Sequence, residues 1–167
     1  MGIGFGIGIP LDWAARFPFA DLAGPWSRYF TSTVVAFGVL AAIAAHPWRD
    51  NIDWSRVPLW WSDERFVPAD DDERNEVLAR RALIDHIVIP ARNVHAILAS
   101  DAGVDVDAAA AAYANELAGF APVGGDPWPS FAVALLGVGP DGHYASLFPE
   151  RHEIAGTDAA ALAVRDS

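Results

Sequence analysis

The stretch Phe131-Ala132-Val133-Ala134-Leu135-Leu136 runs straight into Gly137-Val138-Gly139-Pro140-Asp141-Gly142-His143. Six apolar residues without polar alternation predict a strand covered on both faces of a parallel sheet, and the glycines and proline behind them stop it abruptly. Loops at the carboxyl ends of such strands are where α/β proteins bind ligands. The run therefore delivers one histidine to a place where chemistry is expected, and an imidazole exchanges protons near neutral pH. The competing reading is a turn whose histidine only caps or packs.

The flanking chain supplies the rest of the layer. Val57 to Trp61 reads as a short apolar strand that ends in the charged turn Ser62-Asp63-Glu64-Arg65. The acidic run Asp70 to Glu73 is expected to cap the first turn of a helix whose Ala79, Ala82, Leu83 and Ile87 share one face. It lacks the ligand spacing of a calcium loop, so a solvated cap is expected there and no metal site. Pro90 separates this helix from a strand over Asn93 to Leu98. Asp105 or Asp107 then starts a second helix, with Ala110, Tyr113, Ala114 and Leu117 on one face and Gly119 marking its end. Strand, helix, strand, helix, strand implies right-handed crossovers and a parallel sheet. Upstream, the sequence predicts a strand over Thr33 to Phe37, a turn at Gly38 and a short helix ending before Pro47.

Composition narrows the class. At 167 residues, with 53% hydrophobic and 20% charged, the chain has enough apolar surface for one globular domain. The net charge of −11 opposes phosphate backbones, which excludes nucleic acid as the expected partner. All 11 basic residues are arginine. Without lysine there is no Schiff-base or phosphate-loop lysine, and without cysteine there is no thiol nucleophile, thiolate zinc site or disulfide. The uncharged stretch Thr31 to Ala45 falls short of the roughly 20 apolar residues that cross a bilayer, so no membrane span is expected. A cytoplasmic location is expected, since no secretory signal pattern stands at the start. Residues 1–30 form an atypical extension. Met1 to Ile9 alternates glycine with apolar residues and does not match a dinucleotide fingerprint.

Three segments, taken together and in this order, resemble the glucosamine-6-phosphate isomerase/6-phosphogluconolactonase family. They are Trp60-Trp61-Ser62-Asp63-Glu64-Arg65-Phe66-Val67-Pro68, then Asn75, then Leu135 through Pro149. The resemblance runs from about Val39 to the last residue, so residues 31–167 are read as a partial α/β domain of that kind. It implies a three-layer parallel sheet with helices on both faces, of the sugar-phosphate isomerase type, incomplete at the carboxyl end. It also implies hydrolysis of 6-phosphogluconolactone to 6-phosphogluconate, in the oxidative pentose phosphate pathway, with neither a metal nor an organic cofactor. The Ala145-Ser146-Leu147-Phe148-Pro149 continuation and the Asp63-Glu64-Arg65 turn favour the lactonase over the deaminase branch.

The residue types suit that reaction. Opening a lactone needs a base for water, donors for the developing oxyanion and an anchor for the phosphate. The resemblance makes His143 the base and Asp141 the residue that orients its loop or ring, with backbone N–H groups around Gly139 and Gly142 as oxyanion donors. Arg65 grips the phosphate through paired charge-assisted hydrogen bonds. Asp63 holds Arg65 or a sugar hydroxyl, and Asn75 shapes the pocket. On its own, Asp63-Glu64-Arg65 reads as an exposed turn with surface ion pairs. Ser146 lacks the Gly-x-Ser-x-Gly surroundings of a nucleophile and is expected to start a helix or to pack. His46, His86, His95 and His152 show no metal-ligand spacing and are expected to be surface or packing residues.

The chain also departs from the family pattern. Relatives carry a Ser/Thr-Gly-Gly phosphate loop where this sequence reads Thr31 to Gly38, so Gly38 alone is left as a candidate donor and Phe37 crowds the place. Relatives continue beyond the position of Ser167, and loss of terminal sheet elements would leave an exposed edge through which an oligomer forms. Two alternatives to the lactonase follow: an inactive remnant or interaction protein, and an enzyme resembling glucosamine-6-phosphate deaminase.

Overall fold

The computed structural model describes residues 33–138, 142, 144–148 and 159–165. The proposed extension over residues 1–30 lies outside them. Its centre is a two-stranded parallel sheet: β1 (Leu59–Trp60) pairs with β2 (Val94–His95), Leu59 opposite Val94 and Trp60 opposite His95. Parallel neighbours need a crossover, and helix α2 (Asn75–Ala82) lies within it. Two helices flank this unit in sequence, α1 (Thr33–Ala45) before it and α3 (Val106–Gly119) after it.

Alternation along β1 sorts side chains to two faces. Leu59 and Trp61 point to one side, where they bury against Ala79 and Ile84, with Phe37 and Leu40 of α1 packed on them. Trp60 points to the other, against Tyr113 and Leu117 of α3. Helices therefore cover both faces, the three-layer arrangement expected from the sequence. The predicted helix ending at Gly119 is present, with Asp105 as its N-cap: its carboxylate accepts the Ala108 N–H at 2.8 Å.

The two strands are shorter than their apolar runs because side chains take over the hydrogen bonding at both ends of β1. Before it, the Asn93 amide donates to the carbonyls of Ser55 at 2.9 Å and Trp54 at 3.2 Å. After it, the Tyr113 hydroxyl accepts the Trp61 N–H at 2.8 Å and donates to the Trp61 carbonyl at 2.9 Å. Burial pushes the Tyr113 phenol well above its usual pKa, partly offset by its bond to Trp61, so it stays neutral and serves both roles. Tyr113→Phe should strand two buried peptide groups and cost about 1–3 kcal/mol. Urea unfolding checks this, and an unchanged midpoint would show that the hydroxyl is dispensable.

Two expectations change. Thr33 to Phe37 is not a strand but the first turns of α1, which runs unbroken through Gly38. Val34 and Val35 favour strands locally. Phe37 and Leu40, three residues apart, gain burial on the same cluster only from a helix, and packing overrides propensity. The run Phe131 to Val138 forms no ladder with another described residue. Phe131 meets Trp60 edge-on at 6.3 Å, whereas Leu136 and Val138 are 45% and 55% exposed. An apolar run is a strand only where a neighbour supplies backbone partners, and among the described residues none does so here. Among the described residues no helix is long and apolar enough to cross a membrane.

Candidate functional site

Beyond Trp61 the chain leaves β1 and turns through Ser62-Asp63-Glu64-Arg65. Glu64 folds back into the protein, its side chain only 2% exposed. Its carboxylate accepts three backbone N–H groups: Asn75 at 2.6 Å, Arg65 at 2.7 Å and Glu76 at 2.8 Å. Two of those donors are orphans of the first turn of α2, so Glu64 performs the capping expected of Asp70 to Glu73. The acidic run is used otherwise. Asp71 accepts the Glu73 N–H at 2.8 Å, and Asp72 pairs with Arg81 at 2.6 Å. A neighbour in sequence was the natural cap, but the fold brings a better-placed carboxylate from the end of β1.

Burial pushes the Glu64 carboxyl above the ordinary glutamate range; the N–H groups of Glu76, Arg65 and Asn75, and then the charge of Arg74, pull the other way. The native state then holds this proton more tightly than the unfolded chain does. The contribution of Glu64 to stability accordingly declines as pH rises from its ordinary value through the raised one.

Asn75 adds a second strut, its amide donating to the Asp63 carbonyl at 3.0 Å and to its carboxylate at 3.3 Å. The other carboxylate oxygen of Asp63 accepts the Ser146 hydroxyl at 3.2 Å, across 83 residues of chain. Ala145 and Ser146 stand in the left-handed region at φ 49° and 57°, within a turn closed by the Leu147 N–H on the Tyr144 carbonyl at 2.8 Å. Such strain in non-glycine residues is retained where surrounding contacts fix it. Ser146 therefore tethers its turn to Asp63. Gly142, at φ 87°, has the backbone that glycine alone adopts freely.

Asp63, Arg65, Ser146 and Phe148 line one cavity of about 810 Å³, with Tyr113 and Trp128 in its apolar wall. Arg65 is exposed, and among the described residues no carboxylate pairs with its guanidinium. The structure thus brings Asp63, Arg65 and Asn75 to the edge of the segment that follows residue 143. Gly139, Asp141 and His143 themselves lie outside the described residues. Gly38 does not join the group: it sits in the interior of α1, where its N–H is spent on the helix, and it does not line the cavity.

The sequence reading assigned no role to Arg74. Arg74 is 1% exposed and bonds the Ile97 carbonyl at 2.8 Å and Glu76 at 3.0 Å, with Glu64 at 3.7 Å. Only its place beside a helix start hinted at this. His95, expected to pack, does so: it is 5% exposed, stacked on Trp60 at 3.9 Å and bonded to Glu116 at 2.6 Å. Among the described residues no three His, Asp or Glu side chains gather closely enough to hold a metal.

Residues 33–167 match the family described as glucosamine-6-phosphate isomerases/6-phosphogluconolactonase. The chain belongs to this family. A 6-phosphogluconolactonase of Streptomyces coelicolor is 53% identical over 133 residues, which cover 78% of this chain and 51% of that protein. The Mycobacterium tuberculosis 6-phosphogluconolactonase is 52% identical over 119 residues, covering 70% and 48%. Among solved structures, the Trypanosoma brucei 6-phosphogluconolactonase superposes with a TM-score of 0.61 at 30% identity, covering 75% of this chain and 52% of that one. The fold is that of the isomerase/6-phosphogluconolactonase family. The chain spans about half the length of the curated relatives it matches.

Proposed function

We propose that this chain carries the hydrolytic site for 6-phosphogluconolactone, taking it to 6-phosphogluconate in the oxidative pentose phosphate pathway. The observation that supports the reading most is the Ser146–Asp63 hydrogen bond. It ties the segment following His143 to the Asp63-Glu64-Arg65 turn, on the rim of one cavity. Names of relatives at up to 53% identity agree with it.

In this reading His143 takes a proton from water as the oxygen attacks the lactone carbonyl. Negative charge gathers on the carbonyl oxygen, where backbone N–H groups around Gly139 and Gly142 donate to it. The tetrahedral intermediate collapses, the ring C–O bond breaks, and the departing alkoxide regains the proton from the imidazolium. Asp141 steadies the loop or ring of His143. Arg65 holds the phosphate, Asp63 takes a sugar hydroxyl, and Asn75 fixes Asp63. A cytoplasmic setting belongs to the same proposal.

Arg65→Ala tests the anchor. Losing a forked, charge-assisted contact worth about 2–3 kcal/mol should raise KM roughly 30- to 150-fold, with a much smaller change in kcat. Steady-state hydrolysis above the spontaneous rate measures it, and an unaltered KM removes Arg65 from the site. Ammonia release from glucosamine 6-phosphate, in place of lactone hydrolysis, would instead assign the chain to the deaminase branch.

A further inference from the structure

Glu64 stands in the cavity lining, but its side chain is almost wholly buried. Its carboxylate faces inward, with Arg74 behind it and the N–H groups of Arg65, Asn75 and Glu76 in front. Arg65 is thereby attached through its own peptide to the first turn of α2, while its side chain stays exposed at the cavity rim. A forked contact to phosphate needs the guanidinium held within a few tenths of an ångström, and a free surface turn does not provide that.

We propose that Glu64 is a positioning residue that sets the orientation of Arg65 toward the phosphate of the substrate. The inference rests on the lactonase reading of the site. Three donors converge on the two oxygens of one side chain, which only a carboxylate accepts in full; an amide would turn an NH2 group toward at least one peptide N–H. Arg74 places a counter-charge 3.7 Å behind the carboxylate, and the bond from Arg74 to the Ile97 carbonyl secures that charge to the chain beyond β2. Asn75 braces the same turn through Asp63, two residues before Arg65.

The test compares 6-phosphogluconolactone with gluconolactone, which lacks the phosphate, on the intact chain. Glu64→Gln should lower the preference for the phosphorylated lactone, as the ratio of kcat/KM values, by about tenfold, mainly through KM. In an Arg65→Ala background the same substitution should change that ratio by less than twofold, because it acts through Arg65. Equal losses on both lactones, or full additivity with Arg65→Ala, would overturn the proposal. Should the glutamine variant not fold, Glu64→Asp keeps the charge, is too short to reach all three N–H groups, and carries the same expectation. Were the unaltered chain to hydrolyse neither lactone, the lactonase reading would fail separately. Calorimetric binding of 6-phosphogluconate then decides: tighter binding by the unaltered chain than by Glu64→Gln upholds positioning, and equal or no binding rejects it.

Discussion

Replacing His143 by alanine is expected to lower kcat/KM for 6-phosphogluconolactone by about 10²- to 10⁴-fold, the usual contribution of a positioned general base. Water is a poor nucleophile, and the proposed mechanism has one group to activate it. The chain has no cysteine or lysine to substitute. His95, the buried histidine of the described core, is occupied by Trp60 and Glu116 and does not line the cavity. The loss should appear in kcat with KM little changed, because the phosphate anchor is intact. The unaltered enzyme should also show a rate that falls below neutral pH as the imidazole takes a proton, and this limb should vanish in the variant. Turnover of His143→Ala within threefold of the unaltered chain would end the proposed mechanism.

Arg74→Met should destabilise the fold by about 3 kcal/mol, since removing one member of a buried ion pair leaves the other charge uncompensated. Glu64 would then lie buried without a cation, while Glu76 would keep only Arg80. The carbonyl of Ile97 would also lose its donor. The value stands at the low end of the range for such losses because the Nε and Nη1 atoms of Arg74 are themselves buried without partners, and methionine removes that cost. For a chain of this size the melting temperature should drop by roughly 6–12 °C. Adding Glu64→Gln should recover part of the loss by removing the stranded charge. A melting temperature within about 2 °C of the parent would show that the pair contributes nothing net.

The order of β1, α2, β2 and α3 was legible between residue 57 and Gly119, because short apolar runs alternate there with helical spacing, and Asp105 and Gly119 mark the ends of α3. Thr33 to Phe37 misled because β-branched residues record only a local preference. The cluster that holds Phe37 in a helix is assembled from Leu59, Trp61, Ala79 and Ile84, which lie far along the chain. For the candidate site, Asp63, Arg65 and Asn75 were found by residue type and motif, and the structure adds how they are held. Glu64 escaped notice because its partners begin a helix eleven residues later, beyond any capping pattern.

By itself the sequence determined the α/β class, the family and the side chains available for chemistry, since these are carried by period, punctuation and residue identity. Only the tertiary structure decided that Glu64 and not Asp70 to Glu73 caps α2, that a tyrosine from α3 closes the end of β1, and that Ser146 meets Asp63. Those are hydrogen bonds between groups up to 83 residues apart. A buried polar group takes whichever partner the packed layers bring within about 3 Å, and no local pattern encodes that distance.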